Sequence, residues 1–415
     1  MKNVTGLRCV SCGKVYQPDE LDYTCPDCGT RKGTLEVVYD LHSAGDEFRK
    51  KVKSGKVKNI RRYTPLLPIT NPDHLPPLEV GGTPLYGFHE LTDRVNRIWI
   101  KDDSGNPTAS YKDRATVLAI AAAKQKGIDT MTCASTGNAA SSLAGLAAAS
   151  GIETIIFVPK SAPEAKIAQL LIYGANVFAV NGSYDQAYDL CLEAVDNYNW
   201  YNRSAAIHPY LVEGKKTGAL EMADQLNWEP PDKVFVSVGD GSIISGLCKG
   251  FKELATIGLI EEPPSVIGVQ AKGADPIARA FEKYTGSDVQ IDDQPAHTVA
   301  DSISVGKPRD IVKAVKYVFE NGGRYITVSD DEITSGLIEL AQNRGIFAEP
   351  AAATAYAGFK KLLKSGTLKQ DDDVGIFITG SGLKDVNAAR KSVKGPMEID
   401  PNIQDLERVL EEANW

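Results

Sequence analysis

The chain has 415 residues, 42% of them hydrophobic, and a net charge of −8 from 46 basic and 54 acidic side chains. That length predicts about two to three structural units with sizeable cores. The acidic balance argues against a general nucleic-acid or anionic-membrane partner, and no run approaches the roughly 20 apolar residues that span a bilayer. The opening residues Met1–Cys9 lack an apolar signal core, so a reducing, cytoplasmic setting is expected. There the seven cysteines do not build a disulfide framework.

Four of those cysteines come first in the chain. Cys9 and Cys12 form one Cys-x2-Cys pair, Cys25 and Cys28 a second, with 12 residues between them. Gly13 and Gly29 follow the pairs and allow tight turns that aim two sulfurs at one point. Four thiolates give a closed tetrahedral site, so a zinc ion held here is structural; a metal-free ribbon and a redox pair are the alternatives. Residues 1–40 carry five basic and six acidic side chains, which does not favour a nucleic-acid-binding ribbon. Cys133, Cys191 and Cys248 stand alone and read as buried small apolar residues. Residues 41–80 read as a polar connector, with the basic run Arg49-Lys50-Lys51 and prolines 65, 68, 72, 76 and 77.

Strands and helices then alternate. Arg97–Lys101 is strand-like, and Lys112 follows at the mouth of a predicted helix. A lysine there can be desolvated and lose its proton near neutral pH, as a Schiff-base lysine must, although most lysines are solvated surface charges. Thr130–Ala134 predicts a strand and Ala139–Ala149 a helix of small residues. Between them Ser135-Thr136-Gly137-Asn138 offers backbone N–H groups and hydroxyls to an anion such as a carboxylate; an ordinary cap fits the same spacing. Thr154–Val158 and Val177–Val180 predict strands around a helix at Glu164–Leu171. Val234–Val238 predicts a strand running into Gly239-Asp240-Gly241-Ser242 and a helix at Ile244–Glu253. Glycines there let the backbone approach a phosphate; a plain turn is the alternative. Val266–Gln270 and Gly375–Ile378 are further strands, the last closing on Thr379-Gly380-Ser381-Gly382. This alternation predicts a mainly parallel sheet covered on both faces, with three strands offering their C-terminal ends to one crevice. The tail predicts a docked helix, opened by Asp400-Pro401, with Leu406, Val409, Leu410 and Ala413 on one face. His42, His74, His89 and His297 have no motif context and read as solvated or structural.

One string, Ser104-Gly105-Asn106-Pro107-Thr108-Ala109-Ser110-Tyr111-Lys112-Asp113-Arg114, resembles the lysine motif of the fold-type II pyridoxal-phosphate enzymes, most closely that of the threonine synthase family. The resemblance runs in order along most of the chain. It takes in the ribbon, Gly81-Gly82-Thr83-Pro84-Leu85, Ser135–Asn138, Glu213-Gly214-Lys215-Lys216-Thr217, the glycine loop, Glu349-Pro350-Ala351-Ala352 and Thr379–Asp385. It implies an α/β fold like that of the tryptophan synthase β chain. That fold has two parallel-sheet domains behind an N-terminal zinc ribbon: ribbon 1–40, connector 41–80, and a catalytic core 81–415 into which a smaller α/β subdomain, roughly 115–205, is inserted. It also implies pyridoxal 5'-phosphate carried on Lys112, Asn138 at the cofactor's ring hydroxyl, and Ser135, Thr136 and Asn138 on the substrate carboxylate. Gly239, Asp240, Gly241 and Ser242 cradle the cofactor phosphate and Thr379 faces the ring nitrogen. The implied enzyme is a homodimeric lyase of amino-acid biosynthesis.

The chain departs from the family where the substrate's own phosphate is held. Threonine synthases usually read Asn-Ser-x-Asn-Pro-x-Arg-Leu-Glu-Gly before the Lys-Thr. Here Ala205, Ala206 and Leu211 replace that Asn, Ser and Arg, and Ala139 replaces a frequent threonine. A phosphate dianion needs charged or hydrogen-bonding partners, for which Asn202, Arg203, His208 and Lys215 are the nearby candidates. Asp240, unusual in such a loop, is expected to turn away, for example to cap the next helix. Threonine synthase, converting O-phosphohomoserine and water to threonine and phosphate, is the leading reading. Alternatives are a serine/threonine ammonia-lyase, a cysteate-synthase-like replacement on O-phosphoserine and, remotely, a non-catalytic cofactor- and zinc-binding protein.

Overall fold

Period-two burial shapes the first unit. In the computed structural model, which describes residues 3–55, 57–88 and 94–413, strands Val4–Cys9, Val15–Tyr16 and Leu35–Tyr39 form an antiparallel sheet with Val4–Cys9 in the middle. Leu35, Val37 and Tyr39 point inward in alternation, as one face of a half-buried strand must. His89 lies outside the described residues. The connector contains a helix, Leu41–Lys53, whose N-terminal N–H of Ser43 donates to the Asp40 carboxylate at 3.1 Å. Ala44, Phe48 and Val52 form its buried face.

Two larger sheets follow. One has six strands in the order Arg324–Val328, Ser265–Ala271, Lys233–Ser237, Asp373–Ile378, Arg97–Asp102, Leu85–Phe88; every pairing is parallel except the last. The other has four parallel strands, in the order Asn176–Val180, Glu153–Pro159, Thr130–Ala134, Tyr201–Asn202. The central strands are buried as continuous apolar runs, such as Val234-Phe235-Val236 and Ile376-Phe377-Ile378, because helices cover both faces of a parallel sheet. The predicted strands lie within these bounds, except that Val238 falls one residue past Lys233–Ser237. Leu85–Phe88, Arg324–Val328 and Tyr201–Asn202 were not anticipated: all three are sheet edges, where the apolar run is short or interrupted.

A helix wrapped in protein lies between the sheets. Tyr210–Gln225 is buried at every residue from Tyr210 to Ala223. It packs on Lys112–Gln125 along a face kept bare by Gly214 and Gly218. A Cβ on Gly214 would come within 1.9 Å of the Arg114 carbonyl oxygen, and one on Gly218 within 2.0 Å of the Tyr111 hydroxyl. Among the described residues, all of its charges except Lys215 are paired. Glu213 meets Lys216 at 2.6 Å and also Lys249, and Glu221 meets Lys101 at 2.6 Å and Arg114 at 3.0 Å.

The tail corrects one expectation. Its helix spans Ile403–Glu412, and Asn402 caps it, accepting the Asp405 N–H at 2.8 Å. Asp400-Pro401 therefore precede the cap. No residue of the helix is buried, and Leu406 is 36% exposed. The apolar face exists, but no other element among the described residues covers it deeply enough to dock it. No helix among the described residues is long and apolar enough to cross a membrane.

Candidate active site

The loops after Thr130–Ala134, Lys233–Ser237 and Asp373–Ile378 open into one cavity of 890 Å³ between the two larger sheets. Ser135, Thr136, Asn138, Gly239, Asp240, Gly241, Ser242, Thr379 and Lys112 all line it. The convergence expected of strand C-terminal ends is therefore found.

Lys112 is the first residue of the helix Lys112–Gln125, and its neighbours are clamped from two directions. The Tyr111 N–H donates to the Thr379 carbonyl at 2.9 Å, and the Tyr111 hydroxyl donates to the Lys215 carbonyl at 2.6 Å. Asp113 accepts the Thr108 N–H at 2.7 Å, closing the turn ahead of the helix. Burial pushes the Lys112 ammonium below the ordinary lysine range; Glu349 opposes this, Arg203 adds to it, and Asp240 opposes it. A lysine kept less basic in this way is fit to react as a free amine.

Ser135–Asn138 leads into the helix Asn138–Ala148, which no side chain caps. Its end is thus open to the cavity. The Asn138 amide donates to the two Glu349 oxygens at 2.8 and 3.1 Å, and Glu349 also accepts from the Ser302 hydroxyl at 3.1 Å. Burial raises the Glu349 carboxyl, against the opposing pull of Asn138 and Lys112. Thr379 has a neutral neighbour, the Ser237 hydroxyl at 3.4 Å.

In the glycine loop Gly241 adopts φ 94°, a left-handed backbone, and starts the 15-residue helix Ser242–Thr256. Asp240 turns away from the helix end, as expected, but does not cap it. Its carboxylate accepts the Arg309 N–H at 3.2 Å, and its carbonyl accepts the Asp310 N–H at 3.1 Å. The charge is drawn to the loop ahead of Ile311–Glu320 and leaves the helix end uncapped. The Ser242 hydroxyl is buried and has no hydrogen-bond partner among the described residues.

The candidate phosphate partners separate cleanly. His208 is buried away from the cavity, its ring against the Tyr201 hydroxyl and the Tyr210 N–H; burial pushes it down to about 3, so it is neutral. Arg203 is buried behind Lys112, donating to the Thr116 hydroxyl at 2.9 Å. The Asn202 side chain accepts the Ser204 N–H at 2.8 Å. Of the four, Lys215 lines the cavity, as do Ala139 and Ala205, while Ala206 and Leu211 are buried elsewhere. Sequence reasoning missed Lys307 and Arg309, which also line it, because their loop carries no motif. It quoted Glu349 without giving it a role.

In the N-terminal ribbon, one sulfur from each of Cys9, Cys12, Cys25 and Cys28 lies within 4.8 Å of all the others. All seven cysteines are unbridged, and Cys133, Cys191 and Cys248 are buried.

A family profile described as pyridoxal-phosphate dependent enzyme matches residues 77–380. The threonine synthase of Methanocaldococcus jannaschii is 38% identical over 408 residues, 98% of this chain and 99% of the relative. This chain belongs to the threonine synthase family of pyridoxal-phosphate-dependent enzymes. A second family member, the threonine synthase of Methanosarcina acetivorans, is 33% identical over 97% of this chain and 98% of its own. Among solved structures, threonine deaminase isoform 2 from Solanum lycopersicum superimposes with a TM-score of 0.63 at 20% identity, covering 89% of this chain and 88% of its own. An L-serine ammonia-lyase from Rhizomucor miehei gives 0.64 at 20% identity, over 75% and 96%. These two likenesses concern the fold, which is fold type II. The residues present fit the family's cofactor. An uncapped helix end, an unpartnered buried hydroxyl at Ser242 and a desolvated amine at Lys112 share one cavity.

Proposed function

We propose that the chain is a threonine synthase, a carbon–oxygen lyase that converts O-phosphohomoserine and water to threonine and phosphate. The observation that carries this reading is the meeting of Lys112, the Ser135–Asn138 loop, the glycine loop and Thr379 on one cavity, in a chain so similar to named threonine synthases over nearly its whole length. When bound, pyridoxal phosphate supplies an electron sink for negative charge developing on the amino acid.

The chain's own residues do the rest in this proposal. Lys112 would hold the cofactor through its amine and would move the proton at the substrate Cα. Ser135, Thr136 and Asn138 bind the carboxylate at an uncapped helix end, which favours a negative charge. Gly239–Ser242 receives the cofactor phosphate. Thr379 presents a hydroxyl to the ring nitrogen, so no carboxylate fixes a proton there. Glu349, held by Asn138 and Ser302, is positioned to keep or yield a proton beside the ring oxygen. A structural zinc on Cys9, Cys12, Cys25 and Cys28, a small subdomain at about 115–205 and a cytoplasmic homodimer belong to the same proposal.

A second reading, ammonia loss from serine or threonine, has one observation in its favour. Ala139 and Ala205 line the cavity and give a phosphate nothing to bond. The test is a product assay on purified holoenzyme. Threonine and inorganic phosphate from O-phosphohomoserine support the first reading. Ketoacid and ammonia from serine or threonine, with O-phosphohomoserine inert, replace it with the second.

A further inference from the structure

The cofactor reading leaves a second cavity lysine unexplained. Lys215 is 2% exposed and lines the same cavity as Lys112. Its charged neighbours on the helix, Glu213, Lys216 and Glu221, all have ion-pair partners. The Lys215 ammonium has no hydrogen bond or ion pair among the described residues. Burial pushes this ammonium well below the ordinary lysine range; Lys112 and Arg203 add to that, and Asp310 and Asp240 oppose it. Asp240 is engaged by the Arg309 N–H, and Asp310 lies 3.3 Å from the Lys313 ammonium, although neither of its oxygens has a hydrogen-bond partner among the described residues. A buried amine left like this carries its proton at low cost only when an anionic ligand completes its shell.

The stem of the side chain shows where that ligand sits. Lys215 packs on the bare face of Gly246, where a Cβ would come within 2.8 Å of the Lys215 Cβ. Ser242 is four residues before Gly246, on the same face of the helix Ser242–Thr256. Lys215 therefore lies alongside the face that carries the partnerless Ser242 hydroxyl at the uncapped helix end. Two unpartnered buried polar groups and a helix N-terminus meet in one cavity. An ammonium, a hydroxyl and free N–H groups are the donors a phosphate dianion takes.

We propose that Lys215, beside Ser242 and the N-terminus of Ser242–Thr256, binds a phosphate monoester dianion and supplies the positive charge missing with Leu211 in place of an arginine. The proposal rests on the cofactor reading above. The phosphate is either the cofactor's own, shared by Lys215 and Ser242, or the substrate's distal group, held by Lys215 next to the filled helix end, and binding measurements separate them. Four ligands are titrated into wild type, Lys215→Gln and Lys215→Arg. The apoenzyme takes pyridoxal phosphate and pyridoxal. The holoenzyme takes 2-amino-5-phosphonopentanoate, a phosphonate isostere of O-phosphohomoserine, and phosphate-free norvaline.

If the cofactor's phosphate is bound, Lys215→Gln weakens pyridoxal phosphate by about 10- to 100-fold, the size of a lost charge-assisted hydrogen bond, and leaves pyridoxal unchanged. If the substrate's phosphate is bound, the same loss falls on the phosphonate and spares norvaline and the cofactor. Lys215→Arg restores most of the affinity in either case. Equal effects on phosphorylated and phosphate-free ligands, or none on either, overturn the proposal. Should wild type fail to take up pyridoxal phosphate at all, the cofactor reading falls, and inorganic phosphate binding to wild type and Lys215→Gln still tests the site. Should Lys215→Gln fail to fold, acetylation of wild type is mapped by mass spectrometry. Phosphate must then protect Lys215, and unchanged labelling rejects the proposal.

Discussion

Lys112 and Lys215 face one cavity about a single helix crossing, yet only Lys112 starts its helix with clamped neighbours. The Tyr111 contacts to Thr379 and to the Lys215 carbonyl fix its backbone. Lys112→Ala should therefore abolish borohydride-fixed cofactor, while the label stays on the Lys112 peptide in wild type. Labelling that moves to a Lys215 peptide with wild-type yield would reverse the assignment. Glu349 offers a test in pH. Burial raises its carboxyl above the ordinary range. The folded state thus holds that proton more tightly than the unfolded state, and stability is lost as pH rises towards the folded value. Glu349→Gln removes this loss. The cofactor-free variant should gain stability relative to wild type as pH rises above the ordinary carboxyl range, read from urea midpoints. A pH-independent difference would show that burial does not govern this carboxyl.

At the scale of elements, the helix Tyr210–Gln225 decides the geometry of the site. It carries Lys215, and its glycine face lets Lys112–Gln125 approach. Gly218→Ala would drive a methyl group into the Tyr111 hydroxyl, 2.0 Å away, and overpacking of this kind costs about 1–3 kcal/mol. Because Tyr111 adjoins Lys112, cofactor affinity should fall together with stability; a stability loss with unchanged affinity would show the two helices yielding elsewhere. Glu221 ties three elements by meeting Lys101, Arg114 and the Thr83 N–H at 3.0 Å. Arg114 and Lys101 hold its carboxyl well below the ordinary range, against the cost of burial. Its contribution is present above the usual carboxyl range and is lost as pH falls towards the folded value. Glu221→Gln leaves two buried cations short of a counter-charge and should cost about 3–5 kcal/mol at neutral pH. The gap to wild type should narrow in acid, as followed by denaturant melts.

On the scale of the whole molecule, the ribbon is wired to the catalytic layer through buried polar contacts. The Tyr39 hydroxyl donates to Glu213 at 2.8 Å, Lys249 donates to the Val37 carbonyl at 2.6 Å, and Lys313 donates to the Leu35 carbonyl at 3.1 Å. Metal analysis of unchelated protein should give about one zinc per chain. Chelation or Cys25→Ser should lower a single calorimetric transition, since ribbon and core share these contacts. A separate low-temperature transition would mean that the ribbon melts alone. Much of this architecture is local in origin. Alternating apolar strands and small-residue helices are readable because burial on both faces demands them, and the lysine string, Ser135–Asn138 and the glycine loop are contiguous. Paired cysteines announce their cluster by spacing alone. The tail helix was readable as a helix, because its period is local, but not its lack of a packing partner. Only the tertiary structure brought Glu349 to Asn138, Lys307 and Arg309 to the cavity, and Lys215 to Ser242, because each pair is far apart in sequence and meets through the sheet order. It also sent His208 and Arg203 away from the cavity and buried a helix rich in charge. A charged helix reads as solvated until Lys101, Arg114 and Lys249, from other elements, arrive to neutralise it.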